Sequence, residues 1–193
     1  MHPFTVLFVT LLVAGLVLRL WLLGRQIRAV GAARDRVPAA FTDSISAAQH
    51  AKAADYTIAL AGFSRLHAVF DAGLLLAFTI GGGIARIDAA IAAGGLPPLA
   101  RGVAVIASVA LLFTVLDLPF GLWRTFRIEA RFGFNRATPA LFAVDHLKSL
   151  AIAAALLGPL VASLLWLFGR AGDTWWLWAW SAWAAFSLLM TWA

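Results

Sequence analysis

Three ionisable side chains inside apolar runs give the first chemical signal. His67 and Asp71 are four residues apart, hence on one face of a helix, with Arg65 close by. Asp117 falls late in another apolar run, immediately before Leu118-Pro119-Phe120. An ionised carboxylate facing lipid is costly, so each must face protein or water. For Asp71 two readings stand: a structural partner such as a neighbouring arginine or tyrosine, and a water-filled cavity. Pro119 frees a backbone carbonyl and bends its helix, which again argues for a protein-lined or hydrated interior around Asp117. His67, Asp71 and Asp117 are therefore candidate chamber-facing residues. Arg19 lies near the inner end of the first run, where its long stem can snorkel to the interface.

Catalytic chemistry does not assemble from these types. The chain has four histidines, at 2, 50, 67 and 146, and no cysteine. None of the histidines has a second one four residues on, and none opens an H-E-x-x-H. His67 and Asp71 could offer two ligands where a catalytic zinc takes three. A Gly-x-Ser-x-Gly elbow is missing as well. The expectation is no catalytic residue, no metal ligand and no cofactor within these 193 residues.

The elements that must position these groups are membrane helices. Hydrophobic residues make up 63% of the chain and charged residues 12%, far from a soluble domain and excluding disordered or disulfide-rich classes. A bilayer core of about 30 Å needs about 20 mostly apolar residues per helix. Five runs qualify, at about Phe4–Leu23, Leu66–Ile84, Val103–Leu122, Leu150–Phe168 and Trp175–Trp192. The fold class is all-α, a polytopic membrane protein of five transmembrane helices. The net charge of +6 is explained by basic residues flanking apolar runs, where they meet anionic lipid, and not by nucleic acid.

Orientation follows from those basic residues. Arg25, Arg28, Arg34, Arg36, Lys52 and Arg65 lie between the first two runs, and Arg124, Arg127, Arg131, Arg136 and Lys148 between the third and fourth. Only Arg86, Arg101 and Arg170 fall on the other side. The bias places the N-terminus outside and both long connections, with the C-terminus, in the cytoplasm. No helix breaker intervenes between Ser44 and Ile80, so the second helix is expected to extend into the cytoplasm. On the opposite side Gly81-Gly82-Gly83 ends the second span and Gly94-Gly95-Leu96-Pro97-Pro98 breaks helix before the third. Trp175 and Trp176 fit an interfacial aromatic belt.

The densest polar stretch runs from Arg124 to Lys148. Gly133 and Asn135 suit positive-φ positions between two helices. Phe132 and Phe134 can anchor that turn against packed protein. Glu129 stands among Arg127, Arg131 and Arg136 and is expected to form an ion-pair cluster, and Asp145 and Lys148 can pair one helical turn apart. The residues alone describe a rigid, charge-satisfied elbow.

Asp117-Leu-Pro-Phe120, Phe126-Arg-Ile-Glu129, Phe132-Gly-Phe-Asn135, Thr138, Phe142, Asp145 and Lys148 together resemble a signature of the CAAX prenyl protease 1 family. His50-Ala-Lys-Ala-Ala-Asp-Tyr-Thr57 also resembles that family's approach to its second span. The resemblance implies the N-terminal membrane domain, residues 1–193, of a zinc metalloendopeptidase. It further implies a seven-helix protein around a hydrated chamber, whose zinc is held by an H-E-x-x-H helix and a later glutamate expected beyond 193. The chain stops at Thr191-Trp192-Ala193 within an apolar run, which fits that expectation. In this reading the chain contributes chamber wall and docking surface for the C-terminal metallopeptidase domain of the same parent, whose substrate is a peptide or protein. Glu129, Phe132, Gly133, Phe134, Asn135, Thr138, Asp145 and Lys148 form the signature elbow. The alternatives are a stand-alone membrane scaffold without protease activity, and a small transport or channel component using Asp71 and Asp117. The Ala/Arg/Gly-rich composition favours a bacterial inner membrane, with the endoplasmic reticulum expected if the source is eukaryotic.

Overall fold

In a computed structural model, residues 2–170 and 172–192 are described, and within them the chain is wholly helical apart from its connections. The elements are α1 (Pro3–Ala33), a 3-10 turn (Ala39–Phe41), α2 (Ala47–Phe78), α3 (Gly83–Ala92), α4 (Pro98–Trp123) continued by a π-helical stretch (Arg124–Glu129), α5 (Pro139–Arg170), a 3-10 turn (Gly172–Thr174) and α6 (Trp175–Trp192). They group into two compact units. The first comprises Met1–Gly81 and Asp117–Arg136, the second Gly82–Leu116 and Ala137–Ala193.

Among the described residues, four helices are long and apolar enough to cross a membrane: Pro3–Ala33, Ala47–Phe78, Pro98–Glu129 and Pro139–Arg170. They coincide with the first four expected runs. The fifth run is helical over its whole expected length, but its 18 residues include six tryptophans. Tryptophan favours the membrane interface, where its amphipathic ring sits at headgroup level.

In the first unit, α1 and α2 pair along their length. Helix α2 begins where Ser46 accepts a hydrogen bond from the Gln49 amide while Gln49 Oε1 accepts from the Ser46 amide, a capping box. The expected extension is present, since α2 is 32 residues long. It ends at Phe78 and not near Ile84, because Gly82 turns the chain at φ 75°. Its buried residues are Ala54, Ala61, Ala68 and Ala72. Three of these recur every seven positions, and their small side chains let the helix backbones approach. Leucines and valines on the outer faces, such as Leu11, Val17 and Leu66, are exposed as lipid-facing residues are.

In the second unit α5 packs on α6. Between the two outer glycine clusters α3 forms, with apolar Ile84, Ile87 and Ile91 at helical spacing. Asp88 of α3 accepts hydrogen bonds from Arg101, Nε to Oδ1 at 2.7 Å and Nη2 to Oδ2 at 2.5 Å. The Arg101 hydrogen bonds hold the Asp88 carboxyl below the ordinary carboxylate value. A depressed folded value means that the bridge contributes fully above the ordinary pKa of about 4 and is lost as pH falls through the lower folded value. Amide exchange across residues 93–97, corrected for its intrinsic pH dependence, is expected to rise below about pH 4. Unchanged protection in stronger acid would contradict the link.

Candidate functional site

The first unit carries two polar constellations. In one, His67 of α2 meets Asp117 of α4, with Nε2 to Oδ1 at 2.6 Å. A carboxylate only accepts, so the ring proton sits on Nε2. Asp71 Oδ1 lies 3.3 Å from the same nitrogen, and Asp71 Oδ2 lies 4.0 Å from Nη1 of Arg19. The imidazole also stacks on Phe120, centroids 4.6 Å apart, and Phe70 packs on that ring at 4.6 Å. Asp117 and Phe120 are three residues apart on α4, so one helix face grips both the edge and the plane of the ring. Arg19 and Asp71 line a cavity of about 290 Å³ between α1 and α2 together with Gly15 and Ala68.

Arg19 has Asp71 in reach and remains about half exposed. His67 gains, beside Asp71 on its own helix, a second carboxylate from 50 positions away. The structure thus brings His67, Asp71 and Asp117 together. The other histidines have local roles: His2 caps α1, His50 Nε2 lies 3.0 Å from the Ala33 carbonyl, and His146 Nδ1 lies 2.9 Å from that of Phe142.

The second constellation is the elbow. Tyr56 of α2 stands between Phe132 and Phe134, with centroids 5.4 and 4.8 Å away, both edge-on. Lys52, one turn earlier, places its ammonium 5.6 Å from the Phe134 ring centre. Gly133 adopts φ 75°. Its reversal lets the Glu129 carbonyl accept from the amides of Phe134 and Asn135, at 2.9 and 3.3 Å. No described non-glycine residue has positive φ, so Asn135 is not the second left-handed position expected of it. Beneath the clasp Arg34 holds both oxygens of Asp55, Nε to Oδ1 at 2.7 Å and Nη2 to Oδ2 at 2.8 Å. Those bonds and one to Asp35 push the Arg34 pKa further above its already high value.

Glu129 is paired, but by Arg124 Nε at 3.0 Å and not by Arg127, Arg131 or Arg136. Across the π-helical stretch the five-residue spacing from Arg124 to Glu129 lies on one face, which the 3.6-residue period did not anticipate. Thr138, in the second unit, accepts from the Leu141 amide at 3.2 Å and caps α5 ahead of Pro139. Asp145 and Lys148 share α5 exposed and without an ion pair within 4.0 Å among the described residues, so their expected pairing is absent.

Arg124 is about half exposed, so solvent screens its bridge to Glu129. Glu129→Gln is expected to lower stability by about 1 kcal/mol or less, read as the thermal midpoint in detergent. A loss of several kcal/mol would assign Glu129 more than this bridge.

The long apolar helices, with these polar groups between them, define an all-helical, multi-pass membrane domain. A family profile described as CAAX prenyl protease N-terminal, five membrane helices, matches residues 26–193, and the chain belongs to that family. The family's five helices accord with the four spans plus α6. A CAAX prenyl protease 1 homolog of Caenorhabditis elegans is 33% identical over 178 residues, covering 90% of this chain and 39% of that protein. A probable CAAX prenyl protease 1 of Schizosaccharomyces pombe is 32% identical over 80 residues, covering 42% of this chain and 17% of that protein. The crystal structure of S. mikatae Ste24p shares the fold, with a TM-score of 0.88 at 21% identity over 98% of this chain and 45% of its own. The chain thus spans less than half the length of these relatives.

The His67, Asp71 and Asp117 donor atoms lie within 4.8 Å of one another. They do not fit the zinc site that the family implies. One imidazole and two aspartates replace the two histidines and glutamate, the Nε2 proton is committed to Asp117, and Arg19 adds positive charge beside Asp71.

Proposed function

We propose that this chain is the membrane part of a zinc metalloendopeptidase of the CAAX prenyl protease 1 type, forming chamber wall and docking surface for the catalytic unit in peptide-bond hydrolysis. The observation that carries the proposal is the elbow: the signature stretch on which the family resemblance rests is gripped by Tyr56 and Lys52 of the extended α2. A surface held this firmly is suited to receive another domain without reorganising. The His67 cluster supports a polar interior, with Asp117 and Asp71 in reach of His67 and Asp71 in reach of Arg19, where a chamber would admit water. Zinc, where an H-E-x-x-H unit binds it, would supply water activation and carbonyl polarisation. The residues of this chain would shape and dock the unit that holds it.

In this proposal the N-terminus faces outward and the elbow faces the cytoplasm, in a bacterial inner membrane on composition. Cysteines placed at Ala48 and Ala90, both exposed, are expected to react with membrane-impermeant maleimide from the cytoplasmic and the outer side respectively. Labelling of position 90 only from the cytoplasm would invert the topology. The coding sequence after codon 193 tests the function. An H-E-x-x-H there supports the protease, whereas a natural stop with no separately encoded partner would make the chain a scaffold.

A further inference from the structure

An open groove of about 590 Å³ lies in the first unit against the π-helical stretch, with Ala59, Trp123, Phe126, Arg127, Arg131 and Phe132 in its walls. Its two cations are four positions apart, and both are exposed. The carboxylates near them are taken. Asp55 gives both oxygens to Arg34, and Glu129 is bound by Arg124. Among the described residues neither Arg127 nor Arg131 has a carboxylate within 4.0 Å. The Arg131 guanidinium instead lies over the Phe132 ring, 5.6 Å from its centre.

The groove therefore combines positive charge that no carboxylate bridges with an aromatic wall, and it opens at the end of the apolar segment Pro98–Glu129. That is the level at which phospholipid headgroups meet acyl chains, and the exposed Trp123 suits the same boundary. Guanidinium groups match phosphate oxygens in geometry and charge. A soluble phosphate would use the arginines alone and leave the apolar wall wet. We propose that Arg127 and Arg131 bind the phosphate of an anionic phospholipid, with its acyl chain against Trp123 and Phe126. The inference stands apart from the protease reading, since it concerns this chain and its bilayer.

The test titrates the 193-residue chain in detergent micelles with dioleoylphosphatidylglycerol, dioleoylphosphatidylcholine or inorganic phosphate, and counts bound lipid by native mass spectrometry. Phosphatidylglycerol is expected to bind in preference to phosphatidylcholine. Each arginine is expected to contribute about fivefold, so Arg127→Gln with Arg131→Gln weakens phosphatidylglycerol roughly twenty-five-fold. Arg36→Gln, which removes an exposed cation outside the groove, should leave binding unchanged, and Arg127→Lys with Arg131→Lys should recover part of the loss. Circular dichroism of each variant confirms an intact fold. Equal binding of the two lipids, or full affinity in the folded double glutamine variant, overturns the proposal. Displacement of phosphatidylglycerol by equimolar inorganic phosphate overturns the lipid assignment in favour of a soluble phosphate.

Discussion

Ala61→Leu is expected to unseat α2 from α1 and to lower the stability of the first unit by about 1–3 kcal/mol. Ala61 is 4% exposed and stands in the seven-residue series Ala54, Ala61, Ala68. The two helices run antiparallel, as the pairs Arg34 with Asp55 and Arg19 with Asp71 show. Between helices in lipid the hydrophobic effect is absent, so close packing of small residues carries the association. A leucine has nowhere to go without moving the helices apart, and that would also stretch the Arg34–Asp55 bridge. Ala53→Leu, on the exposed side one turn before Thr57, should change stability by no more than about 0.5 kcal/mol. Thermal unfolding of both variants in detergent, followed by circular dichroism, checks the contrast. Equal midpoints would mean that the alanine stripe does not carry the pairing.

Tyr56→Ala is the second large effect. The ring touches Phe132 and Phe134 at once, and Phe132 is buried. Removing it opens a void beneath the turn and forfeits both edge-on contacts, for about 2–4 kcal/mol. The loss should be local. Amide exchange at Phe134 and Asn135, whose amides bond to the Glu129 carbonyl, should accelerate before the α1–α2 pair opens. Among the described residues the Tyr56 hydroxyl makes no protein hydrogen bond, so Tyr56→Phe should cost less than about 1 kcal/mol. A phenylalanine variant as unstable as the alanine variant would shift the role from ring to hydroxyl.

Much of this structure is legible in the sequence, and the limits are physical. Span positions, the long α2 and the turn at Gly133 follow from run lengths, the absence of breakers and the conformational freedom of glycine. Local rules also place His67 and Asp71 on one face. They do not reach the partners that complete the sites. Asp117 lies 50 positions from His67, and Asp55 lies 21 from Arg34, and such pairings depend on how helices cross and not on periodicity. The Glu129 error has a different source. Nearness in sequence suggested Arg127, Arg131 and Arg136, whereas the π-helical stretch from Arg124 to Glu129 brings those two end residues onto one face. Asp145 and Lys148 show that one-turn spacing permits a surface pair without requiring it. The short helix α3 was hidden by the glycines on either side of it.

The most direct test of the proposed role is reconstitution in trans. The 193-residue chain, affinity-tagged, is co-expressed with the H-E-x-x-H unit that the proposal places downstream of it, and the membrane complex is purified on that tag. The expected result is co-purification of the unit with zinc, together with peptide hydrolysis that neither part shows alone and that Tyr56→Ala diminishes. A catalytic unit that fails to co-purify and cleaves the same peptides equally well without the membrane chain would contradict the role proposed for these helices.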